Sequence, residues 1–525
     1  MERWVRRKAI LGGLAFVIAG GLAGGLLGGR TASVSERTGE QLATYTHLLS
    51  LVQARAADPV EPRVAIEGSI RGMLRTMDPH SNYLDPDDYR HMLEEQSGSF
   101  SGLGIVISKP SNDKPLTVIS PLEGTPAWNV GIRAGDVISQ IEGVDTLDMT
   151  IDDALRRLKG PKGTKVTITV TRPGDTEVLH FTITRDDIPT YSIRQAFVVR
   201  PGVGYIKIEN FTRTTDRELD EHTRALQKQG INRLILDLRR NPGGLLEQAV
   251  RVADRFLKKE QMIVYTHGRI NGADQEYRAS GAGERLDLPL VVLVDKFSAS
   301  ASEIVAGAIQ DHDRGLIVGE TTWGKGLVQT VYPLSQDAAL ALTTARYYTP
   351  SGRLIQRDYN SLEDYLSHDE SDDELIHVSK DIRRTDAGRT VYGGGGIHPD
   401  VVVPDPTPPF VDQLERARVF FDFAVHYNAM HKGVPRTFEV TAPVMQEFQD
   451  FLTTRKLKWT PPDFEAHAER LKGEIKEAIV AALWGAEEAY KVHAEIDRQL
   501  QKALDLFPQA QNLAAFADHK TADER

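Results

Sequence analysis

The sequence contains no cysteine. This absence excludes disulfide bonds, thiol catalysis and cysteine-ligated metal sites together. Aromatic residues make up only 7% of the 525 residues, and the formal net charge is −11. Because the chain is acidic, its charge gives no support for binding nucleic acid, and no nucleic-acid partner is expected. Hydrophobic residues at 40% and charged residues at 26% are an ordinary globular mixture, and the length suffices for three or four domains.

One long uncharged segment lies near the N-terminus. Four basic residues among the first eight precede residues 9–29, a run that is long enough to span a bilayer core of about 30 Å. Because the basic flank stays in the cytoplasm, everything after Arg30 is predicted to lie on the outer side of the cytoplasmic membrane. We interpret residues 1–30 as a signal anchor that holds the rest of the chain on the periplasmic side of the membrane. The alternative is a cleaved signal peptide and a secreted protein.

Periodicity divides the rest of the chain into four regions. Residues 31–95 have apolar residues at helical spacing, and residues 96–190 contain short strand-like runs with one helix. Residues 191–405 alternate strand and helix signals, which predicts a layered α/β core. This core carries an acidic insertion at about 361–390. Residues 406–525 are predicted to be helical, so the fold class is a multi-domain α/β protein.

In the last region, apolar residues recur every four positions. This pattern predicts one long amphipathic helix over residues 463–507, with Leu471, Ile475 and Ile479 on its apolar face. The spacing is not a strict heptad, so we expect the helix to pack on the body of the protein or on a second subunit. The helical ends therefore favour a homo-oligomer.

Residues 297–307 read FSASASEIVAG, with serines at three alternate positions. Taken alone, Ser300 followed by Glu303 is a capping box at the start of a helix. A strand-to-helix junction is also where nucleophilic serines are displayed, because free amides at the helix start stabilise a developing oxyanion. The local sequence leaves both interpretations open.

A nucleophilic serine needs a base, and two candidates follow it. His312 lies about three turns along the same predicted helix, too far to reach Ser300, and its flanking aspartates predict a solvated surface histidine. Lys325 has apolar neighbours, so burial can lower its pKa from about 10.4 towards neutrality. Gln329 shares a face of the following strand with Lys325, and its amide oxygen can accept a hydrogen bond from the lysine.

A buried strand runs into the sequence DLRRNPGG, residues 237–244. Its last two residues, Gly243 and Gly244, allow a sharp turn and a close approach to a ligand. One of their amides, together with that of Ala301, is a candidate oxyanion hole. The sequence does not choose between the two glycines.

Together these motifs resemble the carboxy-terminal processing, or tail-specific, serine proteases. The resemblance covers roughly residues 36–405 and rests on blocks in family order: DPHSNYL, GSFSGLGI, GIRAGDVI, DLRRNPGG, FSASASEIVAGAIQD, GKGLVQ and GGIHPD. It implies that Ser300 is the nucleophile, Lys325 the general base and Gln329 the residue that orients the lysine, with no metal or cofactor. The two serines that flank the nucleophile are then structural.

Residues 96–190 resemble a PDZ domain, which implies binding of a substrate's C-terminal end and gating of the active site. The carboxylate-binding loop is then Gly102, Leu103, Gly104 and Ile105. Outside this context the same residues are an ordinary turn that enters a strand. The implied protein is an envelope-anchored endopeptidase that cleaves protein substrates near their C-termini, and an activating adaptor protein is compatible with this role.

Two other interpretations compete with this one. A non-catalytic PDZ adaptor built on an inactive protease fold is disfavoured, because Ser300, Lys325, Gln329 and the NPGG turn are all present. A Ser-His-Asp hydrolase is disfavoured because no histidine is well placed. The sequence names no physiological substrate.

Overall fold

The computed structural model describes residues 36–109, 111, 114–359, 361, 365 and 381–523. The predicted anchor and most of the acidic insertion lie outside these residues. Within the described residues, no helix combines the length and apolarity that crossing a membrane requires. The chain forms two compact units, Met1–Met77 and Asp78–Arg525, and the first contains helices α1 (Glu36–Arg55) and α2 (Pro62–Arg75).

The second unit begins with β1 (Asn82–Leu84) and α3 (Pro86–Ser97), followed by a small β-rich module. The module contains β2 (Ser99–Gly102), β3 (Ile105–Ser108), β4 (Thr117–Pro121), α4 (Pro126–Asn129), β5 (Val137–Ile141), β6 (Val144–Asp145), α5 (Ile151–Leu158), β7 (Lys165–Thr171), β8 (Val178–Thr184) and β9 (Asp186–Pro189). Its main sheet has the order β3-β4-β5-β7-β8. In β7, valine and isoleucine alternate with outward polar residues, which is why the strand has one buried face. Strand β3 is at the edge of this sheet, and its outer side has no partner strand among the described residues.

The layered core follows and carries two sheets. Its elements are β10 (Gln195–Arg200), β11 (Val203–Lys207), α6 (Thr215–Lys228), β12 (Arg233–Asp237), α7 (Leu246–Asp254), β13 (Met262–Gly268), β14 (Gln275–Arg278), β15 (Leu290–Val294), α8 (Ala301–Asp311), β16 (Leu316–Gly319), β17 (Leu327–Pro333), β18 (Ala339–Tyr348), β19 (Ile382–Arg384), β20 (Thr390–Tyr392) and β21 (Val401–Val402). The central sheet has the order β10-β11-β12-β15-β16-β21, and all its pairs are parallel except β10 with β11. The second sheet runs β1-β18-β13-β14, with β17 paired to β18. The predicted α/β fold class is therefore confirmed.

Both faces of the central sheet are covered, which explains why β15 is apolar at every position. On one face, Leu236 and Val292 pack in a cluster with residues of α6, α7 and α8. On the other face, Tyr205 and Val291 pack in a cluster with residues from the C-terminal helices, including Leu500. The C-terminal region is therefore part of the core of the second unit.

The C-terminal region contains a series of helices. They are α9 (Pro409–Arg416), α10 (Val419–Met430), α11 (Ala442–Thr454), α12 (Pro461–Ala466), α13 (Ala468–Trp484), α14 (Ala486–Ile496), α15 (Arg498–Asp505) and α16 (Phe507–Asp523). The prediction of one helix over residues 463–507 is wrong. The chain turns at Gly485, where φ is 89°, and again at Asp497, whose carboxylate accepts from the Leu500 amide at 2.9 Å. The apolar series that ends at Leu483 is out of register with the series that starts at Ile496, because positions 487, 491 and 495 are charged. Joining the two series into one helix was therefore the error.

A buried ion network joins these helices to the end of β12. The Arg239 guanidinium lies 2.6 Å from Asp237 Oδ2 and 2.6 Å from Asp497 Oδ2. The Asp237 side chain is fully buried and also accepts a hydrogen bond from the Tyr205 hydroxyl at 2.7 Å. Arg239 therefore fixes the C-terminal helices to the segment that leads into the NPGG turn.

Replacing Asp497 by alanine is expected to lower the free energy of unfolding by about 3 kcal/mol, because Arg239 loses one of its two buried counter-charges. Burial opposes ionisation of Asp497, but Arg239 outweighs it and lowers the Asp497 pKa. The contribution is therefore present at neutral pH and is lost as the pH falls through the lowered pKa. Urea unfolding at pH 7 measures the change.

The matched control is Asp412→Ala, which removes an exposed ion pair with Arg416, whose side chain is 80% exposed. Such an exposed pair contributes little to stability, so this variant is expected to change the free energy of unfolding much less than Asp497→Ala does. Equal losses in the two variants would contradict a structural role for the buried network.

Candidate active site

Ser300 lies at the junction between β15 and α8, where a buried strand turns into a helix. Its φ of 55° and ψ of −111° are strained for a residue with a side chain. Helix α8 begins at the next residue, Ala301. A strained residue at a strand-to-helix turn displays its side chain at the start of the helix, which is also where the nucleophilic serines of α/β-hydrolases lie.

The two neighbouring serines are buried and hold the turn. The Ser298 hydroxyl donates to the Leu238 carbonyl at 2.8 Å, and the Ser302 hydroxyl donates to the Asn241 carbonyl at 3.0 Å. Both bonds join the serine turn to the segment that leads into the NPGG turn. These contacts agree with the structural role that was predicted for the two serines.

Glu303 joins the serine turn to the loop that carries Lys325. Its buried carboxylate accepts from the Ser300 amide at 2.7 Å, the Gly324 amide at 2.7 Å and the Lys325 amide at 2.9 Å. Burial raises the Glu303 pKa, although these hydrogen bonds oppose the increase. The hydrogen bond from the Ser300 amide to Glu303 is the one expected of the glutamate in a capping box. The bonds to the lysine loop could not be predicted, because no local pattern encodes a contact about 20 residues away in sequence.

Lys325 and Gln329 meet as the sequence predicts. Lys325 Nζ donates to Gln329 Oε1 at 2.9 Å, and Gln329 Nε2 donates to the His80 carbonyl at 2.7 Å. Burial lowers the Lys325 pKa, against the charges of Glu303 and Asp78, which favour the protonated amine. The lysine is therefore held in place, and its neutral form is more accessible than in water.

His80 is a site residue that sequence reasoning missed. Its ring Nε2 lies 2.6 Å from the hydroxyl of Tyr365, which also accepts from Trp323 Nε1 at 3.2 Å. Burial and the charge of Lys325 lower the His80 pKa to about 4, although Asp78 opposes the shift. His80 is therefore neutral at physiological pH. The only sequence signal for His80 was its place in the DPHSNYL block, and that block did not indicate a role for the histidine.

The NPGG turn lies directly against Ser300. A Cβ atom on Gly243, where φ is 102°, would lie 2.7 Å from Ser300 Cβ and 2.9 Å from the Ala301 nitrogen. The Gly243 amide donates to Asn241 Oδ1 at 2.9 Å. The amides of Gly244 and Ala301 have no acceptor among the described residues. One unused amide therefore belongs to the residue after Ser300, and the other belongs to the residue after Gly243.

His312 is not a solvated surface residue, and that prediction is wrong. Its ring lies 2.7 Å from Asp386 Oδ2 and 2.7 Å from the Met262 carbonyl, and the side chain is 9% exposed. Burial lowers the His312 pKa, but Asp386 outweighs burial and the net shift is upwards. His312 caps the end of α8 opposite Ser300, about 18 Å along the helix. Asp386 covers it from a segment more than 70 residues away, which local sequence does not reveal.

The GLGI loop lies between β2 and β3. Its carbonyls are engaged, since Leu103 O accepts from the Ala127 amide at 3.0 Å and Gly104 O accepts from the Leu122 amide at 2.8 Å. A Cβ on Gly104, where φ is 76°, would lie 2.3 Å from the Thr125 side chain, so only glycine fits. The amides of Leu103 and Gly104, the two residues between the strands, have no acceptor in the described part of the chain. Such consecutive amides suit a carboxylate.

Comparisons with known proteins show which families the chain resembles. Three family models match the chain: Peptidase family S41 over residues 202–363, PDZ domain over 117–172, and Probable PDZ-protease, C-terminal helical domain, over 410–462.

The carboxy-terminal-processing protease of Bartonella bacilliformis is 39% identical over 330 residues, which cover 62% of this chain and 75% of that protein. The carboxyl-terminal-processing protease of Picosynechococcus sp. is 39% identical over 307 residues, covering 58% and 72%. Among solved structures, the photosystem II D1 C-terminal processing protease is 31% identical, covers 59% of this chain and 82% of that chain, and has a TM-score of 0.34.

Proposed function

This chain belongs to the carboxy-terminal-processing proteases of peptidase family S41, and from that premise we propose a Ser-Lys endopeptidase that cleaves protein substrates near their C-termini. It is a serine protease with a PDZ domain, and its substrates are proteins or peptides. The observation that carries the finer proposal is the half-buried Lys325, bonded to Gln329 at 2.9 Å. The loop that carries this lysine shares the Glu303 carboxylate with the Ser300 amide.

In the proposed reaction, neutral Lys325 takes the proton of the Ser300 hydroxyl while the oxygen attacks the scissile carbonyl. The carbonyl π electrons move onto its oxygen and form a tetrahedral oxyanion. When this intermediate collapses, the C–N bond breaks and Lys325 gives the proton to the leaving amine. Water then attacks the acyl-enzyme with Lys325 again as the base, which releases the new C-terminal carboxylate and regenerates the Ser300 hydroxyl.

The oxyanion is proposed to bind between the Ala301 amide and an amide of the NPGG turn. The sequence left Gly243 and Gly244 as alternatives. We favour Gly244, because the Gly243 amide already donates to Asn241 Oδ1 at 2.9 Å. In this assignment Gly243 supplies the close approach between the turn and the nucleophile, and Gly244 supplies the donor.

Gln329 is proposed to orient the base. Its oxygen accepts from Lys325 and its nitrogen is fixed by the His80 carbonyl, so the amide cannot rotate freely. The lysine amine is thereby held at one position for proton transfer. His80 contributes through its backbone and, being neutral, adds no competing charge.

The PDZ domain is proposed to recruit the substrate's C-terminal end. The open side of β3 can accept a peptide as an added antiparallel strand, while the amides of Leu103, Gly104 and Ile105 hold its terminal carboxylate. Gly102 ends the preceding strand. We also propose that occupation of this groove gates the active site.

We further propose an envelope location, with residues 9–29 as the anchor and the catalytic part outside the cytoplasmic membrane. This proposal rests on the sequence alone. The proposals of a homo-oligomer and of an activating adaptor protein also rest on the sequence alone. Each is independent of the proposed chemistry.

The test is cleavage of β-casein by the purified protein, with fragments identified by mass spectrometry and the Ser300→Ala variant as the control. Cuts near substrate C-termini by the wild-type protein alone are expected. Equal cleavage by wild type and Ser300→Ala would overturn the Ser-Lys proposal. If neither folded protein cleaves the substrate, the result favours a non-catalytic adaptor or a latent enzyme, and adding a candidate activator separates these two.

A further inference from the structure

Arg418 lies at the junction between α9 and α10, next to the open edge of the PDZ sheet. Its Nη1 donates to Ser108 Oγ at 3.0 Å, and Ser108 is the last residue of β3. The guanidinium lies over the Phe421 ring, 4.9 Å from its centroid, which leaves its other N–H groups available. Among the described residues, no carboxylate pairs with Arg418. The end of the peptide-binding strand therefore carries a cation without an acidic partner.

The position of Arg418 is fixed by close packing of α10 on the PDZ domain. A Cβ on Gly135 would lie 2.6 Å from the Val425 side chain, and a Cβ on Gly174 would lie 3.5 Å from Ala429. The helix therefore approaches the PDZ backbone where glycine permits it. Arg418 has a φ of 56°, and this left-handed conformation starts α10 directly after α9. The arginine is part of a packed interface rather than a free surface side chain.

The register of a bound peptide follows from the carboxylate loop. If the terminal carboxylate is held by the amides that precede β3, the C-terminal residue pairs with Ile105. Counting along an antiparallel strand, the residue three positions upstream of the C-terminus then pairs with Ser108. Directly opposite residues in an antiparallel pair project from the same face.

The faces of β3 decide where that upstream side chain points. Ile105 and Ile107 pack on the PDZ core, whereas Val106 is 39% exposed on the outer face. Alternation places Ser108 on the same outer face as Val106, where Arg418 contacts it. The next residue, Lys109, is not a competing cation, because its amine is bonded to three backbone carbonyls that precede α5.

We propose that Arg418 forms a specificity subsite for an acidic side chain three positions upstream of the substrate's C-terminus. This inference rests on the proposed recruitment of chain ends by the PDZ domain and names the class of chain end that is preferred. A guanidinium binds a carboxylate through two parallel N–H···O bonds, which a neutral amide cannot match. The positive end of α10 adds to the attraction. The C-terminal helical domain thus supplies one side of the peptide groove.

The test uses the full-length Ser300→Ala protein in detergent, which binds without cleaving, and fluorescence anisotropy with three labelled peptides. Two peptides differ only in glutamate or glutamine three positions from a free C-terminus, and the third is the glutamate peptide with an amidated C-terminus. The glutamate peptide is expected to bind about five- to tenfold more tightly than the glutamine peptide. Arg418→Gln is expected to remove this difference, and Arg418→Lys to retain part of it.

The matched control is Arg416→Gln, which changes an exposed arginine paired with Asp412 on the preceding helix. This variant is expected to keep the preference for glutamate. If both free-acid peptides bind equally and the amidated one does not, the recruitment of chain ends stands and the Arg418 subsite is overturned. If the amidated peptide binds as well as the free acid, or no peptide binds, the recruitment itself fails, and the subsite fails with it.

Discussion

Replacing Lys325 by alanine is expected to lower kcat as far as replacing Ser300 does, on the order of 10⁴-fold or more, and the double replacement is expected to lose nothing further. Residues that act as one catalytic unit show this non-additivity, because removing either member stops the same proton transfer. The structure supports such a unit, since Glu303 holds the amides of both residues. Steady-state kinetics on a fluorogenic peptide give kcat for the wild type, the two single variants and the double variant.

Two variants make this prediction specific to the base. Lys325→Arg keeps the positive charge but cannot become neutral near physiological pH, so it is expected to be as inactive as Lys325→Ala. Lys228→Ala, at the exposed end of α6, is expected to retain wild-type kcat. Losses that simply multiply in the double variant would show that the serine and the lysine act independently.

The pH dependence of kcat/KM follows from the same base. The active form of Lys325 is neutral, so kcat/KM is expected to rise with pH and to level off above the pKa of the free enzyme's lysine. Burial lowers this pKa, which places the plateau at lower pH than an exposed lysine would. His80, with a pKa of about 4, is neutral throughout this range and adds no second step. A flat profile from pH 6 to 10 would contradict the assignment.

The parts of the site that could be predicted from sequence are those with local signals. Ser300 follows an apolar strand and precedes an apolar helix. The spacing of four residues predicted the contact between Lys325 and Gln329, although Lys325 lies in the loop before β17 and not on the strand. Glu303 was visible only as half of a capping box. Its bonds to the Lys325 loop depend on how α8 packs against the loop after β16, and no residue pattern specifies that packing. The same is true of the contact between His312 and Asp386.

The fold shows the same division between local and distant information. The alternation of strand and helix signals was enough to predict the α/β core, because each element buries an apolar face of its own. The C-terminal helices were predicted as one because the apolar series on the two sides of Gly485 have the same four-residue spacing, although the two series are out of register. The pattern also gave no sign that Asp497 would reach Arg239, since a buried ion pair joins residues that lie far apart in the sequence.

Replacing Gly243 by alanine is expected to lower kcat by about 10² to 10³-fold with little change in KM, an effect comparable to losing one oxyanion-hole donor. The new Cβ would lie 2.7 Å from Ser300 Cβ, 2.8 Å from the Ala299 carbonyl oxygen and 2.9 Å from the Ala301 nitrogen. None of these is the far end of a flexible side chain, so the NPGG turn and the serine turn must separate. The distance between Ser300 and the proposed oxyanion donors then changes, whereas the new Cβ does not contact the proposed peptide groove of the PDZ domain.

Gly272→Ala is the matched control, because Gly272 also has a positive φ, 86°, but no atom of the described residues lies within 4 Å of the place that a Cβ would take. It carries the backbone strain of alanine in a left-handed conformation, about 1 to 2 kcal/mol, without a contact at the site. Thermal unfolding of both variants separates lost stability from lost catalysis. A Gly243→Ala protein that is folded and retains wild-type kcat would show that the close approach of the two turns does not set the geometry of the oxyanion hole. A similar loss of kcat in both variants would instead assign the effect to the strain of alanine at positive φ.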